Sequence, residues 1–371
     1  MDQLIPTAWF EGLHEVVLLG LVAASMFALM TGADWLVDGS SGLATRLGIP
    51  KIIVGATIVS LGTTAPECAV SVMAAWDGKS GLALGNAVGS IIADTGLIFG
   101  AGCLLTRLPV NRFLLSRQGW VQFGSAALLA GLCYGLWWVE AADAKIPNWA
   151  GAFFLVLLAI YLVVSVSWSR QEAAAEGLTL ADGGTGLEEP GKHDAADDHD
   201  EKQQAAIVLL AVLLVGAAIV IVSSHVLIET VTVIAVRLSV PQVVISATLV
   251  AFGTSLPELV VGMTAIRRGH PELLVGNVIG ADVLNVLFVI GASAIAAPLP
   301  IVDQAARVPE VFLYVHLPTM LTILVLFRLF IARAVRKQHF ERPMGIPLVL
   351  LYLGFVVISF LLGGDPGEAA P

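Results

Sequence analysis

The chain has 371 residues, 57% of them hydrophobic and 13% charged, with a mean hydropathy of +0.88, whereas a soluble domain carries roughly 25% charged residues. That composition excludes an ordinary water-soluble fold, and nothing in it is basic enough to hold nucleic acid. The net charge of −10 is local, because residues 169–204 hold ten acidic side chains against three basic ones.

A membrane span needs about 20 mostly apolar residues, and the hydropathy pattern predicts about ten transmembrane helices. The first five lie near 15–37, 51–75, 82–106, 119–139 and 147–168; the second five lie near 205–227, 242–266, 273–297, 309–331 and 344–362. Residues 1–168 and 205–371 are thus two five-helix halves, and 169–204 between them reads as an acidic, solvated, disordered linker. The N-terminal MDQLIPTAWFEGLHE lacks a positive n-region, so the first span is expected to be retained rather than cleaved. Cys68, Cys103 and Cys133 fall inside predicted spans and read as small buried apolar residues, not as a disulfide framework.

With the N-terminus outside, 15 of the 19 basic residues fall in inside loops. The positive-inside rule selects that orientation, with both termini outside and the linker cytoplasmic. Compact loops and the lack of a transit peptide point to a bacterial cytoplasmic membrane. An odd number of spans per half makes any repeat between the halves inverted.

Such a repeat occurs at a constant offset of 191. PKIIVGATIVSLGTTAPECAVSVMAAWDGKSGLALGNAVGSIIADTGLIFGA (50–101) aligns without a gap to PQVVISATLVAFGTSLPELVVGMTAIRRGHPELLVGNVIGADVLNVLFVIGA (241–292), with 17 identities in 52 positions. Many identities are polar, Gly or Pro, so hydrophobicity alone does not account for them. The expected fold is all-α, about ten transmembrane helices in two inverted five-helix repeats, the arrangement of secondary transporters with a midplane site between the halves.

Each copy sets a GTxxPE run near the middle of its second span, where Pro removes a backbone donor and is expected to break the helix, freeing carbonyls for a cation. Glu67 and Glu258 sit beside that break, and a carboxylate at membrane depth is costly unless paired, protonated or bound to an ion. Thr63 and Thr254 lie one helical turn before them, on the same face. Two carboxylates with hydroxyls, carbonyls and water supply the six to eight oxygens that calcium takes. Asn86, Ser90 and Asp94 form a polar stripe in the third span, matched by Asn277, Ala281 and Asn285. For Asn86 and Asn277 the stripe is equally served by hydrogen bonds that merely join helices. Asp34, Asp38, His225 and Glu229 read as interface or packing groups, and His193 and His199 as part of the solvated linker.

These residues make the two copies similar to the alpha-repeats of the sodium/calcium exchanger family, within the cation/calcium antiporter superfamily. GTSLPE at 253–258 and the paired GN-x-x-G runs at 85–89 and 276–280 carry the resemblance. It implies a central calcium site flanked by sodium sites, with alternating access by sliding of the first and sixth helices over a fixed core. By position, Thr63, Glu67, Thr254 and Glu258 should hold calcium. Ser60, Thr64, Ser90, Ala251 and Ser255, with Thr63 and Thr254, should serve sodium, Ser60 and Ala251 through main-chain carbonyls. Asp94 and Asn285 match the family's central polar pair. Three departures stand out: GTTAPE in the first copy, Ala281 where a serine is expected, and Asp282 where Asn is common.

The expected function is antiport of calcium against sodium, with no cofactor beyond the transported ions and the lipid bilayer as surroundings. The alternative is proton/calcium antiport on the same carboxylates. An intramembrane protease is disfavoured because the two Gly-Ala-Asp runs, at 32–34 and 280–282, are not equivalent in the repeat, and there is no HExxH or GxSxG. An enzyme is therefore not expected, and a sensor acting through the linker is possible only in addition to transport.

Overall fold

The computed structural model describes residues 7–47, 51–76, 78, 80–175, 195–238, 255–302 and 310–362. In lipid every backbone polar group must be satisfied within its own segment, and the apolar runs accordingly fold as helices. These are α1 (Thr7–Glu11), α2 (Glu15–Leu47), α3 (Lys51–Val54), α4 (Ser60–Trp76), α5 (Ser80–Ala93), α6 (Gly100–Leu105), α7 (Arg112–Glu140) and α8 (Asn148–Ala175). The second set is α9 (Ala195–Arg237), α10 (Leu256–Arg267), α11 (Pro271–Leu284), α12 (Gly291–Ala296), α13 (Leu317–Lys337) and α14 (Gly345–Leu362). Among the described residues, nine helical stretches are long and apolar enough to cross a membrane. Most of the tenth expected span, 242–254, lies outside the described residues, as does 176–194 of the expected linker.

The core is built around the sequence repeat. The span Pro271–Ala296 is the most enclosed, with 94% of its apolar stretch buried against 28% for Glu15–Arg46. α5, a π-helical turn over Asp94–Phe99 and α6 follow one another as a single rod. α11, a π-helical turn over Asn285–Ile290 and α12 do the same. Every boundary in the second rod stands 191 residues after its counterpart, the offset of the sequence repeat. Just beyond each rod the chain pairs with the opposite half: Pro109 bridges His339, and β2 (Leu299–Pro300) pairs antiparallel with β1 (Lys145–Ile146).

α2 and α9 pack along one another, and their apolar residues belong to a smaller cluster than the main core. Glycine sets their approach: a Cβ on Gly216 would stand 2.6 Å from the Leu36 amide nitrogen, and one on Gly39 2.9 Å from that of Leu213. Small residues let two helix backbones meet in this way. The C-terminal half of α2 is also tied to the turn after α10. Asp34 pairs with Arg267 and Arg268, Asp38 pairs with Arg268, and the Ser41 hydroxyl meets His270 Nε2 at 3.1 Å. Asp34 and Asp38 thus join α2 to the turn after α10 through ion pairs.

Two expectations need correction. The helix is not broken at Pro66: α4 runs through it, and the distortion lies earlier, in a π-helical turn over Gly55–Val59. One residue too many in that turn shifts the hydrogen-bond ladder, so that both the Ser60 N–H and the Ser60 hydroxyl reach back to Gly55 O. The acidic linker is also entered by helix from both sides, since α8 continues to Ala175 and α9 starts at Ala195. Its described ends are thus ordered as helix, whereas the whole of 169–204 was expected to be disordered.

Candidate cation site

The π-helical turn at Gly55–Val59 brings the start of α4 against α11 at backbone distance. A Cβ on Gly280 would stand 2.4 Å from Ala56 O, and one on Gly276 would overlap Ile52 O. Glycine is required at both places because the opposing atoms are main chain. This close seam carries the first cross-half contacts: Ser60 donates to Asn277 O at 3.0 Å and lies 3.2 Å from its Oδ1, and Thr63 donates to the same Oδ1 at 3.4 Å.

Around the seam the structure gathers the sequence-derived residues from both halves. Ser60, Thr63, Thr64 and Glu67 on α4, Ser90 on α5 and Asp94 at its end are buried, as are Ser255 and Glu258 at the start of α10 and Asn285 after α11. Thr64 reaches Glu258 Oε1 at 3.5 Å across the halves. Glu67, Glu258 and Asp94 are near enough to repel one another. No Lys, Arg or His is buried among the described residues. Thr254 and Ala251, the remaining expected ligands, lie outside the described residues.

Eight oxygens of this group have no well-aligned hydrogen-bond partner among the described residues, although Glu67 lies within reach of Glu258 and Asp94 within reach of Ser255. Glu67 and Asp94 contribute both carboxylate oxygens, and Glu258, Ser90, Ser255 and Asn285 one each. Buried polar atoms are nearly always paired, so a cluster of such oxygens must be met by protons or by a cation. The donor set is hard, made of carboxylate, hydroxyl and amide oxygen, which suits calcium or sodium and not a soft metal. Among the described residues no three His, Cys, Asp or Glu side chains converge as a metal site on their own. Hydroxyl and amide oxygens must therefore complete any shell.

The asparagines take different parts. Asn277 holds the two halves together through Ser60 and Thr63. Asn86 donates to Ser71 Oγ at 3.0 Å and to Glu67 O at 3.5 Å, where it steadies the backbone that carries the carboxylate. One group was missed by sequence reasoning. Asp282 Oδ2 accepts from Thr95 at 2.5 Å and Gln122 at 2.6 Å, all three side chains being buried. Gln118 and Gln122, one turn apart in an apolar span, were the available signal.

A family model described as sodium/calcium exchanger protein matches residues 17–167 and 208–361. The chain is 32% identical to CaxA of Alkalimonas amylolytica, over 93% of this chain and 97% of that one. It is 29% identical to the sodium/calcium exchanger MaX1 of Methanosarcina acetivorans, over 94% and 98%. The solved structure of the sodium/calcium exchanger from Methanococcus jannaschii matches with a TM-score of 0.72 at 24% identity, covering 92% of this chain and 98% of that one. The match of the family model across both halves, joined by near full-length relatives, makes this chain an integral membrane protein of the sodium/calcium exchanger family.

Proposed function

We propose that this chain is a secondary antiporter that exchanges calcium for sodium through one midplane site between two inverted five-helix repeats. The observation that carries the proposal is the placement of Glu67 and Glu258: one from each half, both buried, with three of their four oxygens lacking a well-aligned partner among the described residues and no buried cationic side chain to neutralise them. The shared offset of 191 in the helix and π-turn boundaries of the two rods supports the repeat.

In this mechanism Glu67 and Glu258, with Thr63 and Thr254, ligate calcium. Sodium uses the hydroxyls of Ser90, Thr64 and Ser255 and the main chain at Ser60 and Ala251, with Asp94 and Asn285 between the two groups. Both ions also draw on Thr63 and Thr254 and on the negative field of the same two carboxylates, so loading one expels the other, which is the origin of coupling. The α2 and α9 pair moves over the core to expose the site to one side at a time, the close glycine contact between the two helices joining them into one moving unit. The termini face outside and the 169–204 linker faces the cytoplasm of a bacterial inner membrane, in keeping with the distribution of Lys and Arg.

The test is calcium-45 uptake into proteoliposomes loaded with sodium or with choline at matched pH. Uptake only into sodium-loaded vesicles is expected. Uptake that ignores sodium and follows an imposed pH gradient assigns the same carboxylates to proton/calcium antiport instead.

A further inference from the structure

Asp282 breaks the repeat. The residue 191 positions earlier is Ile91, and the counterpart of Thr95 is Val286. All four are buried, so the acid and its hydroxyl partner occupy places where the other half keeps apolar side chains. A carboxylate at that depth is costly and marks function by default, and the symmetric site has no need of it.

The surroundings of Asp282 accommodate its carboxyl both with and without a proton. Thr95 Oγ1 and the Gln122 amide meet the same oxygen, Oδ2, at 2.5 and 2.6 Å, while Oδ1 has no partner among the described residues. An ionised Asp282 accepts from the Thr95 hydroxyl and the Gln122 N–H. A protonated one donates to Gln122, since an amide turned over presents its carbonyl oxygen instead.

The neighbouring charges are all of one sign. Asp94 is close enough to repel Asp282, and beyond it come Glu67 on α4 and Glu258 on α10. The buried polar side chains of α7 are Gln118, Gln122 and Ser125, all neutral. None of the ion pairs among the described residues reaches it.

Resting on the exchange proposed above, we propose that Asp282, held by Thr95 and Gln122, is a proton-binding site distinct from the calcium and sodium ligands. Proton occupancy there sets the negative charge beside Asp94 and hence the affinity of the adjoining cation site. The proton is taken up and released without any change in the Thr95 or Gln122 covalent structure, and loss of the proton adds one negative charge that draws cations more tightly.

Two measurements on the full chain in lipid test this. Infrared difference spectra across a pH titration, with no calcium present, are expected to contain a carboxyl C=O band that Asp282→Asn removes. Calcium affinity is expected to rise with pH in the wild type and to rise several-fold less in Asp282→Asn, the remainder belonging to the carboxylates of the site itself. Thr95→Val, close in shape, removes a donor that favours the ionised form and is expected to move the midpoint to higher pH. It also keeps the test decisive if Asp282→Asn does not fold. A carboxyl difference spectrum that is the same in Asp282→Asn as in the wild type, with no component lost, or a midpoint unmoved in Thr95→Val, overturns the proposal. A wild type whose calcium binding ignores sodium overturns the exchange reading instead, and leaves the infrared result to be judged alone.

Discussion

The rods formed by residues 80–105 and 271–296 are the same piece of architecture used twice, yet they differ in chemistry. Helix, π-helical turn and helix begin and end at matching positions in both. The first presents Asn86, Ser90 and Asp94; the second presents Asn277, Ala281 and Asn285, with Asp282 turned to a different neighbour. Backbone form follows from glycine and apolar spacing that both copies share. Ion chemistry follows from a few polar positions, which are free to diverge once the backbone is secured.

The largest effect is expected where the copies are still alike. Glu67→Gln and Glu258→Gln should each abolish calcium uptake while the protein still folds. Breaking a buried charged site by removing one member costs about 3 kcal/mol or more, over about 100-fold in binding. Normal exchange by either variant contradicts the site assignment. Next comes the backbone that holds the copies together: Gly280→Ala pushes a Cβ against Ala56 O and is expected to lower stability by about 1–3 kcal/mol, read as a lower thermal midpoint in detergent.

Where the copies differ, smaller effects should run in opposite directions. Ala281→Ser restores a hydroxyl beside the site and is expected to raise apparent sodium affinity. Ser90→Ala makes the first copy resemble the second and should lower it. One hydrogen-bond-sized ligand amounts to about 1 kcal/mol, or about five-fold. Sodium dependence of calcium flux checks both variants, and an unchanged value in each means that these positions no longer face an ion.

The smallest effect belongs outside the repeats. Lys337 and Arg333 donate to Glu341 and hold its carboxyl below the usual range. A lowered value in the folded state stabilises the protein above the ordinary glutamate range, and the contribution is lost as pH falls through the lowered value. Glu341→Gln should therefore reduce the thermal midpoint slightly at neutral pH and not in strong acid, with exchange intact. A change in ion affinity there would contradict the confinement of ion chemistry to the two repeats.

Much of this was legible in the sequence because membrane depth makes polar residues conspicuous. Glu67, Glu258 and Asp94 stand out in apolar spans, and the offset of 191 ties each copy to the other. The helix distortion was misplaced because Pro66 is a visible breaker, whereas a π-helical turn leaves no single-residue mark; its cause is the close seam with Gly276 and Gly280. The lengths of α2 and α9 were underestimated for another reason. Hydropathy sees only the apolar part, while Asp38 and Ser41 continue the helix through contacts to Arg268 and His270. Asp282 was noticed only as a departure from the family, since its partners Thr95 and Gln122 are distant in sequence.

The most direct test of the central claim is calcium binding to the purified chain titrated at increasing sodium, in wild type, Glu67→Gln and Glu258→Gln. Shared oxygens predict that sodium weakens calcium binding in the wild type and that neither variant binds calcium measurably. Calcium binding indifferent to sodium, or retained in both variants, would contradict a single site built by the two glutamates.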